Sequence, residues 1–258
     1  MNIKETALSA AKKSGKLLID LSKNNANYEM KNVYDILAEA DVESEQIIIN
    51  EIKKAFPNHD ILSEERGKTN TESDYLWIID PLDGTINFSR GIDEYCISIA
   101  VERNGELILG VIYQPTTEKL FVAEKGKGAF LNNRRIQVSR ENEIINSIPA
   151  TDNSSKIESR ITNYKILSAV CDKFRHIRIL GSGALHLAKI VSGNIDVYYK
   201  TRFNYWDYAA GVLMVREAGG EVTDLKGNPI GKNSKDILAS NGILHKPALE
   251  LMKGRGNL

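Results

Sequence analysis

Apolar residues first recur at helical spacing. Ala7, Ala10, Ala11, Ser14, Leu17, Leu18 and Leu21 share one face and predict a helix over roughly Ile3–Ser22. A polar segment follows, from Asn24 to Asn32. The next periodic run puts Ile48, Ile49, Ile52 and Phe56 on one side of a helix over Val42–Phe56. Asp41 stands where an N-cap belongs, and Pro57 ends the element.

The pattern then becomes that of strands. Leu76–Ile79 is a short apolar run, Ile97–Val101 alternates, and Ile108–Tyr113 and Lys119–Ala123 flank the turn-like Gln114-Pro115-Thr116-Thr117. Gly126, Gly128 and Asn132-Asn133 mark further turns. This half reads as helices packed on an antiparallel sheet, an α+β arrangement. Arg140–Ser159 is polar and weakly patterned. A lobe boundary there divides the chain into residues 1–145 and 146–258. In the second lobe, Ile177–Leu180 reads as a strand leading into Gly181-Ser182-Gly183. Ala184–Ser192 reads as a helix, Ile195–Tyr199 as a strand, and Asp207–Ala218 as a helix ended by Gly219-Gly220. Short strands follow near Glu221–Thr223 and Ile237–Ala239.

Composition narrows the functional classes. Hydrophobic residues make up 42% and charged residues 26% of the 258 positions, as in ordinary globular proteins. Lys plus Arg equals Asp plus Glu at 34 each, so no broad basic surface suits polymeric nucleic acid. Cys96 and Cys171 lack metal-ligand spacing. They read as small buried hydrophobes in a reduced, cytoplasmic setting. The N-terminus shows neither a signal-peptide run nor a membrane span.

Four constellations carry candidate chemistry. In Asp80-Pro81-Leu82-Asp83-Gly84-Thr85, a strand ends on one carboxylate and a second stands three residues on, at a turn with Gly and Thr. Oxygen ligands suit Mg²⁺, and backbone N–H groups opening a turn or helix suit phosphate. The alternative is a strand end at Asp80 and a helix cap at Asp83. Ser63-Glu64-Glu65 is either solvated charge or a pair of acids brought beside that turn. Asp207 in Trp206-Asp207-Tyr208-Ala209-Ala210-Gly211 is either an N-cap or a carboxylate aimed into a cleft. Gly181-Ser182-Gly183-Ala184 lets a ligand approach the backbone. His59, His176, His186 and His245 are scattered without zinc spacing, and His186 reads as packing.

Together these segments resemble the inositol monophosphatase family of Mg²⁺-dependent sugar phosphatases. The resemblance rests on Glu39–Asp41, Ser63–Glu65, Trp77–Phe88, Gly126–Phe130, Gly181–Ala184 and Trp206–Gly211, in the family's order and spacing over almost the whole chain. It implies a layered αβαβα sandwich, a homodimer and two to three Mg²⁺ ions. By the same resemblance, Glu64, Asp80 and the Leu82 carbonyl would hold one ion, and Asp80, Asp83 and Asp207 a second. Glu64 would also touch a third. Gly84 and Thr85 amides would bind phosphate, and Asp41 and the Thr85 hydroxyl would orient the attacking water. Gly181, Ser182 and Gly183 would line the substrate.

The expected activity is hydrolysis of a small sugar or polyol phosphate, with inositol-1-phosphate first. Fructose-1,6-bisphosphate, 3′-phosphoadenosine 5′-phosphate and NADP are the alternatives. Inositol-specific members carry an acid seven positions before Asp207, where this chain has Lys200, with Arg202 nearby. Lys200 either binds a second phosphate or faces solvent. Lys31 is a further basic candidate near the entrance. Ser63 replaces the family's usual Gly. A non-catalytic scaffold of the same fold is the contrary reading, and the complete acidic set argues against it.

Overall fold

The computed structural model describes residues 1–23, 28–30, 36–69, 71–154 and 156–255. Lys31 lies outside them. In chain order the elements are α1 (Ile3–Lys23), β1 (Tyr28–Met30), β2 (Ile36–Ala38), α2 (Glu39–Ala55), β3 (Asp60–Ser63), β4 (Gly67–Lys68), β5 (Tyr75–Asp83), α3 (Thr85–Ser89), β6 (Cys96–Arg103), β7 (Glu106–Gln114), β8 (Lys119–Glu124), β9 (Gly128–Leu131) and β10 (Arg134–Ile136). They continue with β11 (Pro149–Thr151), α4 (Ile157–Val170), β12 (Arg178–Ile179), α5 (Gly183–Val191), β13 (Val197–Thr201), α6 (Tyr205–Glu217), β14 (Glu221–Thr223), β15 (Asp236–Ser240) and α7 (His245–Met252).

Strand alternation builds the layers. An eight-stranded sheet runs β10-β9-β8-β7-β6-β5-β3-β4, and a five-stranded sheet runs β12-β11-β13-β15-β14. Successive side chains of a strand face opposite ways. Trp77 and Ile79 of β5 therefore join Ala7, Ala11, Ile48 and Ile52 of α1 and α2. Ile78 between them joins α5 and α6 on the other face, with Leu187, Ala188, Tyr208 and Val212. Tyr198 of β13 and Ala239 of β15 close that middle layer from the second sheet. Val197, Tyr199 and Leu238 point outward to Ile166 and Val170 of α4 and Ala248 of α7. The result is helix, sheet, helix, sheet, helix, the layered α+β sandwich that the resemblance implied. Each large apolar side chain so buried contributes roughly 1.5–3 kcal/mol over exposure.

Several expectations are corrected. The first sheet is not wholly antiparallel, since β3 pairs parallel with β5. Helix α2 begins at Glu39, so Asp41 is its third residue and not its N-cap. Asp207 is likewise third in α6, which Asn204 caps. Helix α4 begins inside the segment read as polar and weakly patterned, which ended at Ser159, and runs on to Val170 where no element was expected. The inner face of its first half carries Ser159 and Asn163, both fully buried, while Ile157 and Ile161 are exposed; apolar burial comes later in the helix, at Ile166 and Val170. The Ser159 hydroxyl donates to the Thr201 carbonyl (2.6 Å), and the Thr201 N–H donates to Asn163 Oδ1 (3.0 Å), which repays that burial. Cys96 is buried as expected, but Cys171 is exposed. The strands of the two sheets come from either side of residues 137–148, and one core cluster joins both sheets.

Candidate active site

The site forms where β5 stops behaving as a regular strand. Its ladder to β6 is regular up to Asp80↔Ser98 and resumes only at Asp83↔Cys96. Pro81 has no N–H to give to a ladder, so the chain bulges there. The Leu82 N–H turns back to donate to Asp80 Oδ1 (3.1 Å), and the Thr85 hydroxyl donates to the Leu82 carbonyl (3.0 Å). Gly84 then enters α3 at φ 98°. A Cβ at Gly84 would meet the Glu94 carbonyl oxygen at 2.8 Å, so backbone conformation and space both demand glycine.

Three other elements bring acids to this turn. The β3–β5 register aligns Ser63 with Ile79, so the next residue, Glu64, comes out beside Asp80. Helix α2 presents Asp41, only 3% exposed, and its Ser44 hydroxyl donates to the Pro81 carbonyl (2.8 Å). Ser44 has one proton to give, so the 2.6 Å contact between Ser14 and Ser44 has Ser14 as donor. Glu45, fully buried, accepts from the Glu65 N–H (3.2 Å) and pairs with Arg66 Nε (3.1 Å), fixing the loop that carries Glu64. Asp207 enters from the first turn of α6, where one of its oxygens accepts the Asn204 N–H (2.9 Å).

Asp83 is held from the start of α5. Its Oδ2 accepts from the Ser182 hydroxyl (2.5 Å) and the Ala184 N–H (2.7 Å). Ser182 is also the N-cap of α5, so the Gly181–Ala184 segment positions an acid. Gly181 is exposed, at φ 80°, and a Cβ there would strike the Asn87 amide. Asn87 donates to the Glu94 and Leu180 carbonyls, 2.7 Å each, tying the turn after β5 to the segment between β12 and α5. Gly183 is buried where a Cβ would come within 3.3 Å of the Tyr198 hydroxyl and 3.6 Å of Asp152 Oδ2.

Electrostatics sets this turn apart. Burial raises the Asp80 carboxyl well above the usual range, and Glu64, Asp83, Asp207 and Asp41 push it further. Glu64 keeps solvent access at the rim, yet desolvation by surrounding protein and the charges of Asp207 and Asp41 raise it well above normal too. Burial takes Asp83 to about 6, against the opposing pull of Lys200 and the Ser182 hydrogen bond. Asp207 is raised by burial, again opposed by Lys200. Among the described residues, no group of three or more His, Cys, Asp and Glu side chains is assembled to hold an ion as it stands.

The structure separates the two basic candidates. Lys200 points inward: its side chain is 14% exposed, its Nζ lies 3.4 Å from Asp152 Oδ2, and it sits over the Phe203 ring at 5.0 Å. Burial works to lower its pKa, but Asp152, Asp207 and Asp83 outweigh burial and raise it. Arg202 turns away, half exposed, and pairs with Glu158 on the surface. Asp152 Oδ2 also has the Tyr198 hydroxyl at 3.4 Å and His186 Nδ1 at 3.8 Å. His186 is fully buried, stacks on Tyr198 and accepts the Leu180 N–H (3.1 Å), so it packs as expected and also borders this cluster.

Sequence reasoning missed Ser14, Ser44, Glu45, Asn87 and Asp152. A signal was present for three of them: Ser14 stands on the apolar stripe of α1. Ser44 and Glu45 stand one turn before Ile48 and Ile49 on the apolar stripe of α2, where a polar residue needs a partner.

With this geometry in view, comparison with known proteins is decisive. The profile of the inositol monophosphatase family matches residues 2–255. The chain belongs to the inositol monophosphatase family. It is 39% identical over 227 residues to a fructose-1,6-bisphosphatase/inositol-1-monophosphatase of Thermotoga maritima, covering 88% of this chain and 86% of that one. It is 35% identical over 257 residues to the Nus factor SuhB of Escherichia coli, covering 96% and 94%. Among solved structures, the extragenic suppressor protein suhB of Bartonella henselae superposes with a TM-score of 0.93 at 36% identity, covering 98% of both chains. Membership supports a phosphatase. Among these family relatives the names differ in substrate and role. Among the described residues, no helix is long and apolar enough to cross a membrane.

Proposed function

We propose that this protein is a magnesium-dependent phosphomonoesterase acting on a small sugar or polyol phosphate, with inositol-1-phosphate as the first substrate. One observation carries the reading: Glu64, Asp80, Asp83 and Asp207 crowd one turn as like charges, with Lys200 as the cation opposing Asp83 and Asp207. Such crowding is unfavourable in a metal-free fold. A hard divalent cation relieves it, and the donors are all oxygen.

Glu64, Asp80 and the Leu82 carbonyl would hold one ion, and Asp80, Asp83 and Asp207 another. Glu64, at the rim, would reach a third. Bound magnesium would supply charge neutralisation and a more acidic water. The chain's own residues do the rest. The amides of Gly84 and Thr85, opening α3 without intrahelical acceptors, bind phosphate oxygens. Asp41 and the Thr85 hydroxyl orient the attacking water, which displaces the alcohol directly with inversion at phosphorus. Gly181, Ser182 and Gly183 border the leaving alcohol. The exposed Ile157, Ile161 and Tyr164 on one face of α4 support a homodimer, and free thiols support a cytoplasmic setting.

A second substrate reading has its own support. Lys200 is drawn inward, and its contact to Asp152 is long at 3.4 Å, so its ammonium has donors to spare. That favours a substrate with a second anionic group, such as fructose-1,6-bisphosphate, 3′-phosphoadenosine 5′-phosphate or NADP. The test is phosphate release with Mg²⁺ from these three and inositol-1-phosphate, for wild type and Lys200→Glu. Lys200→Glu is expected to shift the kcat/KM ratio toward inositol-1-phosphate by roughly tenfold or more. An unchanged ratio removes Lys200 from the substrate's reach. No release from any of the four by wild type defeats the phosphatase reading for these substrates.

A further inference from the structure

A second cavity lies on the far side of the helix that supplies Asp207. It encloses about 440 Å³ between α6, the β6–β7 hairpin and the loop at residues 230–232. That volume is within the range of small-molecule sites. One stripe of α6 forms its floor: Tyr205, Tyr208, Val212 and Arg216 recur at helical spacing from the first turn to the last. Leu107 and Ile230 add apolar wall.

The polar groups around it are unequally satisfied. Glu102, 1% exposed, accepts the Tyr205 hydroxyl and pairs with Lys232 at 2.5 Å. Glu106 pairs with Lys125. Glu217 accepts the Gly126 and Gly128 N–H groups, each at 2.7 Å. Each acid is therefore answered. Arg216 is solvent-exposed, and its guanidinium lines the mouth of the cavity with no hydrogen bond or ion pair to the protein among the described residues. Helical side chains lean toward the N-terminus, which carries the Arg216 head over the cavity toward Tyr205. The lowering of its pKa by burial, with Tyr205 as the opposing neighbour, agrees with that placement.

We propose that this cavity is a second binding site, for a small molecule with one carboxylate or phosphoryl group on an apolar or aromatic body. The anion pairs with Arg216, and the body lies along Tyr205, Leu107 and Ile230. The site is coupled to the acidic turn through α6. Tyr205 and Asp207 share its first turn, and the Tyr205 hydroxyl is tied to Glu102 on β6. An occupant that displaces Tyr205 or Lys232 from Glu102 moves the turn that carries Asp207. Binding at Arg216 stands without the phosphatase reading, and only the coupling rests on it.

The probes are 1-naphthoate and phenylphosphonate, neither of which has an ester to hydrolyse. Binding is measured by titration calorimetry on full-length protein in EDTA, so that metal cannot recruit the anion to the acidic turn. Saturable one-to-one binding is expected for wild type and for Asp83→Asn. At least tenfold weakening is expected in Arg216→Gln, and loss in Ile230→Trp, which fills the cavity. Equal affinity in wild type and Arg216→Gln, or no binding of either probe at millimolar concentration, overturns the site. Preference between the probes separates carboxylate from phosphoryl recognition. Phosphate release is then followed with Mg²⁺ and saturating probe. A change in rate in wild type that is absent in Arg216→Gln supports the coupling, and an unchanged rate with binding intact overturns it. Thermal melts of both variants separate a lost site from a lost fold.

Discussion

Asp60 and Asp80 lie at opposite ends of the same parallel strand pair, and both are nearly inaccessible, at 5% and 2% exposure. Their surroundings are opposite in kind. Burial pushes Asp60 upward, but donors outweigh it: the Thr71 N–H at 2.6 Å, the Thr71 hydroxyl at 2.9 Å and the Ser73 N–H at 3.3 Å leave its pKa lowered. Asp80 receives the Leu82 N–H and faces four other acids, which leave it raised. A buried carboxylate with its lone pairs answered ties a loop to a strand. A buried carboxylate among like charges costs stability in the metal-free fold, and is kept for what it does when a cation is present.

Three experiments would break or sharpen that contrast. The largest effect is expected in turnover. Asp83→Asn keeps an acceptor for the Ser182 hydroxyl and the Ala184 N–H, so the fold should persist. Loss of the charge should lower kcat with Mg²⁺ by on the order of 10²–10³-fold, equivalent to several kcal/mol at the transition state. Unchanged turnover at saturating Mg²⁺ would remove Asp83 from the metal set.

The next effect is on stability, and its sign should differ between the two ends. Asp60→Asn replaces charge-assisted acceptors with a neutral one and should lose about 1–3 kcal/mol in denaturant melts. Asp80→Asn relieves repulsion and should leave metal-free protein as stable as wild type or more so, by on the order of 1 kcal/mol at pH 8. Equal losses at both ends would mean that Asp80 is answered by groups beyond those named.

The smallest effect is a slope with pH. Asp83 titrates near 6 in the fold, above its ordinary 3.8, so between those values the folded chain binds more protons than the unfolded one. Stability from this group is then fully present at low pH and is lost as pH rises through that window. Asp80 and Glu64, raised further, extend the loss above pH 6. Metal-free protein should show a melting temperature that falls from pH 5 to pH 8. The Asp83 part is roughly 1–2 kcal/mol after discounting for solvent screening. Saturating Mg²⁺ should flatten the slope, and a metal-free melting temperature that rises with pH would contradict the assignment.

Regular helices with apolar stripes were legible in sequence, as α1 shows. So were the alternating strand β6 and the strands β7 and β8 that flank a turn. Helix α4 was not legible, because the first half of its buried face is polar and finds its partners on β13, more than thirty residues away. The parallel pairing of β3 with β5 was equally hidden, since no local pattern states which edge a strand joins. Asp41 and Asp207 were placed near helix starts, but the cap was misassigned. At the third position of a helix a carboxylate can reach back to the chain before it, as Asp207 does, and local sequence does not separate that position from the cap.

The sequence by itself determined the local chemistry. Pro81 interrupts a ladder, Gly84 admits a left-handed turn, and acids recur in four separate segments in the order of one family. Tertiary structure alone decided which charges meet. It turned Lys200 inward and Arg202 outward, two residues apart on a strand that ends between them, and it joined Ser182 at the start of α5 to Asp83 at the end of β5. Electrostatic energy depends on distance and burial in three dimensions, and neither is a function of separation along the chain.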